Sequence, residues 1–348
     1  MKDRERLSRP AFDLNATNAC KGVALILLLW HHLFYKHPEF GPLVHTSALL
    51  AKVCVAMFVF LSGYGFAESV RARKFELLRF YRTRLVPLYA NYWLIAALFV
   101  SLGVWVMGVS LESAYTDHPY GKFLVQMTGL HRYAFPEYGY NATWWYMSVI
   151  IPLVLLFPAF NAAVRRAGWW VPMVLLLLLL VKRPLIPVLN EWLLPFALGI
   201  LFSQRSYFTA VHAWLSRWER WRHFGLLVVI ALVMVFRTHS PVLGGTRIDW
   251  LLALLIIVLT SEWVRTHAWS QTALAYLGRH LFNVFLFHTF IYAYFWSEFI
   301  YGFGSPLLVF AVLLTICLVI SEILELVKNH IGFHRGVRWL QGGVQRSA

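Results

Sequence analysis

The chain has 348 residues; 59% are hydrophobic, 17% aromatic and only 14% charged. Soluble domains carry about 25% charged residues, so apolar runs that recur from end to end exclude a single soluble core and point to lipid as the solvent. The net charge of +15, from 31 Lys and Arg against 16 Asp and Glu, fits basic cytoplasmic loops and implies no nucleic-acid partner.

Ten spans are expected in chain order, near 20–36, 46–69, 85–108, 144–164, 168–182, 190–203, 224–237, 248–264, 280–300 and 306–327. The expected fold is therefore an all-α polytopic membrane protein of about ten transmembrane helices. It forms one membrane domain over 1–348, with an N-terminal tail (1–18) and a C-terminal tail (328–348). Met1–Pro10 is charged and shows no cleavable-signal pattern, so the first span is expected to drive insertion. The fifth span runs into Arg183-Pro184 and Pro187, and the sixth is the shortest; both are expected to be tilted, broken or partly re-entrant. With the N-terminus inside, the alternate segments 1–21, 71–84, 165–166, 204–223, 265–279 and 328–348 hold 23 of the 31 basic residues. Both termini are thus expected in the cytoplasm. The exceptions are Lys36, Lys52, Lys122, Arg132, Lys182, Arg183, Arg237 and Arg247.

The largest outward loop, 109–143, carries Asp117-His118, His131-Arg132 and an aromatic run from Tyr133 to Tyr146. It reads either as an interfacial aromatic belt or as a platform on which sugar rings stack. Cys20, Cys54 and Cys317 lie in or beside apolar runs without short paired spacing, which argues against a disulfide framework or a zinc site.

Ionisable groups inside spans are costly, so each is a candidate for function. Lys21 and His32 lie eleven residues apart in the first span. On a helix that separation returns to within about 20° of the same face and rises about 16 Å. One face can thus carry a cation near the cytoplasm and an imidazole near the membrane centre. This suits an extended acyl-CoA whose phosphates stay at the basic surface while its thioester meets His32, and imidazole deprotonates hydroxyls well near neutral pH. The plainer reading is a His31-His32 pair satisfied by packing and a Lys21 that snorkels. Ser62-Gly63-Tyr64 ends the second span with small residues that let a helix or a ligand approach. Arg79, Arg82 and Arg84, ahead of Pro87, are either phosphate forks or positive-inside anchors. His288 and Asn283 lie in the ninth span, and Glu262, Glu298 and Glu322 lie near or within spans, able to orient a His or to cap a helix.

In this order the motifs resemble the bacterial membrane acyltransferase family three, and the resemblance spans nearly the whole chain. The residues that carry it are a basic residue, ten others and a His (Lys21, His32); an apolar run ending Ser62-Gly63-Tyr64; the Arg-rich run Arg79, Arg82, Arg84 into Pro87; and Trp145-Tyr146-Met147-Ser148 opening a later span. The last is Leu277-Gly278 followed by Leu281, Asn283, Leu286 and His288. Three departures are Leu281, where a Ser is usual; Ile150, where many members have Glu; and the arginines before Pro87, which stand at intervals of three and two and leave the phosphate-binding one unassigned. The resemblance implies an acyl-CoA donor, with acetyl-CoA as co-substrate rather than a resident cofactor, and no metal. It implies His32 as the catalytic residue, with Lys21, Ser62, Gly63, Tyr64, Arg79, Arg82 and Arg84 on the donor. Trp145, Ser148, Asn283 and His288 are expected on the acceptor side. The acceptor it implies is a hydroxyl of a surface or exported polysaccharide or lipid-linked oligosaccharide, at the bacterial inner membrane, beside membrane lipids and polysaccharide-assembly proteins. The expected enzyme is an O-acetyltransferase. A transporter or flippase for a lipid-linked sugar or lipophilic solute is the alternative, although inverted repeats are missing. A third reading is a structural subunit of a polysaccharide-assembly complex.

Overall fold

A computed structural model describes residues 12–71, 74–181, 186–218, 220–240 and 245–342. The first eleven residues of the expected N-terminal tail, Arg73, the Arg183-Pro184 break with Lys182, and residues 343–348 of the C-terminal tail lie outside these.

All regular structure among the described residues is helical. In chain order the main helices are α1 (Leu14–Phe34), α2 (Pro42–Ala51), α3 (Cys54–Arg71), α4 (Leu77–Trp105), α5 (Pro119–Met127), α6 (Met147–Ala167) and α7 (Trp170–Leu180). They continue with α8 (Leu193–Gln204), α9 (Tyr207–Leu215), α10 (Arg222–His239), α11 (Asp249–Thr266), α12 (Ala268–Thr289), α13 (Pro306–His330) and α14 (Phe333–Leu340). Five stretches are long and apolar enough to cross a membrane: Pro42–Arg71, Leu77–Trp105, Ala142–Ala167, Arg222–His239 and Pro306–His330. The chain is accordingly a multi-pass helical membrane protein. α1, α11 and α12 have the length to cross but carry ionisable side chains that lower their mean hydropathy.

Local chemistry moves several expected boundaries. α1 starts at Leu14 rather than near 20, because Asp13 caps it: its Oδ1 accepts from Ala16 N at 2.8 Å. α7 and α8 have 11 and 12 residues, or about 17 Å each, well short of the ~30 Å hydrocarbon core. The span expected at 280–300 begins earlier, at Ala268, and passes at Phe290–Phe295 into a π-helical turn. Such turns are rare and occur frequently at functional sites.

The residues group into two compact units, Met1–Arg73 with Ala159–Leu281, and Lys74–Pro158 with Phe282–Ala348. α6 and α12 each contribute to both.

The first unit is organised by two crossings at which backbones touch. A Cβ on Gly22 would overlap the Leu274 carbonyl, and one on Gly278 would overlap the Asn18 carbonyl, so α1 and α12 meet with no side chain between them. α3 and α8 meet in the same way, Gly63 against Phe196 O and Gly199 against Phe60 O. Small residues let dispersion contacts do in lipid what the hydrophobic effect does in water.

In the second unit, α4 has 29 residues and a length of about 43 Å, longer than the hydrocarbon core. Pro87 lies inside it, and Asn91 Nδ2 donates to Pro87 O at 2.8 Å. Aromatic stacking binds the unit: Phe99 lies 5.2 Å from both Phe287 and Phe290, and Phe80 lies 4.6 Å from Phe157.

Candidate functional site

The expected site residues divide between the units. Lys21, His32, Ser62, Gly63 and Tyr64 belong to the first; Arg79, Arg82, Arg84, Trp145, Ser148, Asn283 and His288 belong to the second.

In the first unit, α1 carries Lys21 and His32 in one uninterrupted helix, so the helical spacing holds. Lys21 Nζ lies 3.4 Å from Asn18 Oδ1, one turn back, and neighbours Gly22, where α1 lies against α12. His32 is half-buried, whereas His31 is buried and fixed. His31 Nδ1 lies 2.7 Å from Ala48 O, and its ring stacks on Tyr35 at 4.7 Å and edges His32 at 5.0 Å. A neutral His31 donating from Nδ1 keeps a lone pair on Nε2.

The group that fixes this end of the unit is a buried ion pair. Arg237 Nε donates to Asp249 Oδ1 at 2.6 Å, Nη2 to Oδ2 at 3.2 Å, and Nη1 to Leu49 O at 3.2 Å. Arg237 is 7% exposed and Asp249 1%. The last carbonyls of α2 have no partner within their helix. Ala48 O takes His31 and Leu49 O takes Arg237, so two successive carbonyls tie α1 and α10 to α2. Sequence reasoning did not single out this pair. Its one signal was Arg237 standing among the basic residues that break the positive-inside pattern.

Ser62, Gly63 and Tyr64 make packing contacts within the unit. Ser62 Oγ donates to Phe58 O of its own helix at 2.8 Å, Gly63 sits at the α3–α8 crossing, and Tyr64 Oη donates to Phe12 O at 3.3 Å. Glu262 orients a His, as one of its expected roles required: Oε1 meets His212 Nδ1 at 2.8 Å, and Oε2 lies 3.6 Å from Arg222 Nη1.

In the second unit, Arg79 and Arg82 are exposed on α4, and Arg84 is half-buried, 6.0 Å from the Phe80 ring. Asn283 joins α12 to α13. Its Nδ2 donates to Ser321 Oγ at 3.1 Å and to Glu325 Oε1 at 2.8 Å, and its Oδ1 accepts from Lys328 Nζ at 2.8 Å. Lys328, 1% exposed, also reaches Glu325 Oε1 at 2.8 Å, and His334 Nε2 lies 3.2 Å from Glu325 Oε2. A buried ammonium needs such partners. Glu325, Lys328 and His334 were not expected; in sequence they look like the polar end of a span and its tail.

His288 is buried, with Nδ1 2.9 Å from Val284 O on its own helix. It precedes the π turn, and Asn283, five residues back, points about 140° away on the helix. Trp145 is half-buried, 6.2 Å from the Tyr146 ring. Ser148 is buried; its Oγ donates to Gly129 O at 2.7 Å and accepts from Arg132 N at 3.3 Å.

Ser148 thus fastens the connection between α4 and α6. Three aromatic side chains of α4 hold the same turn, Tyr92 Oη on Gln126 O at 2.8 Å, Trp93 Nε1 on Met127 O at 2.9 Å and Tyr89 Oη on Thr128 O at 2.7 Å. Gln126, fully buried, is the hub: it accepts from Tyr115 Oη and from Tyr140 N (3.0 Å) and donates to Tyr138 O (2.9 Å). Trp144 Nε1 and Asn141 Nδ2 both donate to Leu286 O, at 2.9 and 3.3 Å. The aromatic run is therefore mixed in role. Tyr140, Trp144 and Tyr146 are packed inside, while Tyr133 and Tyr138 are exposed, with Arg132 4.7 Å from the Tyr138 ring.

Outside the spans, Lys122 bonds both Asp117 and Glu137 and holds these carboxyls below their ordinary range. Burial, with the Arg132 charge beside it, pushes His131 down to about 4, and neither of its ring nitrogens meets a hydrogen-bond partner among the described residues. His131 is a neutral imidazole at physiological pH.

Residues 14–325 match the model of acyltransferase family 3, described as an acyltransferase domain. No curated protein matches the chain, and no solved structure does.

Proposed function

This chain belongs to acyltransferase family 3, and from that premise we propose that it is a transmembrane O-acetyltransferase. It moves an acetyl group from cytoplasmic acetyl-CoA to a hydroxyl of a surface or exported polysaccharide, at the bacterial inner membrane. In this reading the chain crosses the bilayer about ten times with both termini in the cytoplasm. α7 and α8 are then its two incomplete passes, and α1, α11 and α12 are passes that carry ionisable side chains, of which His31, Glu262 and His288 are buried.

The observation that carries the reading is the α1 pair, a half-buried His32 eleven residues from Lys21 on one continuous helix. Beside it stands an imidazole whose orientation is already fixed, His31 on Ala48 O. In direct transfer His32 accepts the proton of the sugar hydroxyl. The oxygen attacks the thioester carbonyl carbon, the carbon–sulfur bond breaks, and the proton passes from His32 to the departing thiolate. In a relay the His32 imidazole attacks the thioester carbon and CoA leaves as the thiol; the sugar hydroxyl then attacks the acetyl carbon, its proton returns to the departing imidazole, and the kinetics become ping-pong. Lys21 and the arginines of α4 are the donor-binding cations, and Trp145, Ser148, Asn283 and His288 belong to the acceptor side. For Ser148 and Asn283 this role is exerted through the loop and the helices that they fasten.

The test is transfer from radiolabelled acetyl-CoA to extracted polysaccharide by the purified protein, comparing wild type with His32→Ala. Loss of at least about 100-fold, in the range general-base catalysis supplies, is expected with unchanged thermal unfolding. Persistent transfer in the variant would remove His32 from the chemistry. Solute movement that survives the substitution and needs no acyl-CoA would favour the transporter.

A further inference from the structure

α14 lies beyond the part of the chain that matches the family, which ends at residue 325. It is nevertheless docked. His334 bonds Glu325, the Lys328 ammonium lies 5.7 Å from the Phe333 ring, Val337 is buried, and the helix packs against α4. The position a Cβ would take on Gly342, just past the end of α14, is 3.6 Å from Arg82 Nη1. The carbonyl end of α14 thus stands beside one of the α4 arginines, where a helix dipole favours a cation.

The exposed side of this helix pair is strongly basic. Arg335 and Arg338 are three residues apart on one face of α14, and Arg79 and Arg82 are likewise spaced on α4. α14 contains no Asp or Glu. No carboxylate among the described residues pairs with any of these four arginines, whereas Glu325 is already engaged by Lys328 and His334. Four forks that no carboxylate among the described residues engages, on two packed helices, are complementary to a ligand with several phosphates.

We propose that Arg335 and Arg338 of α14 complete, with Arg79 and Arg82, a phosphate-binding surface for the nucleotide end of acyl-CoA, which makes the C-terminal helix part of the donor site. The inference rests on the acyl-CoA reading above. It adds residues which that reading does not contain and a specificity it does not predict, namely discrimination for the 3′-phosphate and pyrophosphate over the acyl group.

The experiment is equilibrium binding of CoA and of 3′-dephospho-CoA to the purified full-length protein in detergent and in vesicles with and without an anionic lipid. The double variant Arg335→Gln/Arg338→Gln is compared with wild type. The expected result is CoA binding weakened about tenfold, equivalent to about 1.4 kcal/mol. The loss should be smaller for 3′-dephospho-CoA, and Arg335→Lys/Arg338→Lys should retain part of the affinity. Unchanged CoA affinity in the Gln variant overturns the proposal. So does a loss confined to anionic vesicles, which would make the surface a lipid headgroup site. If the Gln variant melts at lower temperature, the Lys variant decides: with wild-type melting, a loss larger for CoA than for 3′-dephospho-CoA supports the proposal, and an equal loss for the two ligands overturns it. Failure of wild type to bind CoA overturns both this inference and the donor reading. Binding without acetyl transfer overturns only the proposed reaction.

Discussion

Two regions of the molecule surround buried imidazoles in opposite ways. Around His31, in the first unit, order comes from one buried bidentate pair, Arg237 with Asp249, and two helix-end carbonyls. Around His131, in the second, order comes from neutral bonds spread over Gln126, Ser148 and the aromatic side chains of α4. A buried ion pair is an all-or-none device, since removing one partner leaves the other charge in an apolar setting. A neutral network loses its members one at a time.

The largest expected effect tests the ionic end. Asp249→Asn strands Arg237 and should cost about 3–5 kcal/mol in unfolding measured in detergent. Replacing both partners, as Arg237→Met/Asp249→Leu, should recover much of that loss. A cost below about 1 kcal/mol for the single change would mean that the pair is solvated and that the two regions do not differ in this way.

Next comes acidification of the loop. His131 has a folded-state pKa of about 4, against about 6.5 in an unfolded chain. The unfolded form therefore binds the proton first, and the stability contributed by the neutral imidazole is complete above about pH 6.5. It falls as pH drops towards 4, by about 3 kcal/mol in all. Hydrogen exchange of the 128–135 backbone should accelerate across that window, and His131→Phe should flatten the response. At the acid end, protonation of Asp117 and Glu137, which Lys122 holds below their ordinary range, releases Lys122.

The smallest effect should come from Gln126→Leu, at about 1–3 kcal/mol for the polar groups left unsatisfied. It should appear as faster exchange around Tyr115, Tyr138 and Tyr140, with His31 and its neighbours unaffected. Exchange that accelerates across the whole protein would show that the network is not modular.

The helical class, the membrane setting and the Lys21–His32 spacing were legible because each depends on local composition or helical period. Family membership was legible from the order of the motifs. What those motif residues do was less so. Ser62-Gly63-Tyr64 offers small residues in sequence, but that Gly63 is the point where α3 lies against α8 is set by a partner 133 residues away. Gly278 likewise looks like part of a site signature and serves the crossing with α1.

By itself the sequence determined that this chain lives in a bilayer as helices, because hydropathy and the 3.6-residue period act over a few turns. It also determined that a basic residue and an imidazole share one face of α1. Only the tertiary structure decided which polar groups have partners. Arg237 with Asp249, Asn283 with Lys328 and Glu325, and Gln126 with Tyr115 and Tyr140 are joined across separations of 11 to 45 residues. Pairing of buried polar groups depends on three-dimensional proximity, and a one-dimensional pattern does not encode it.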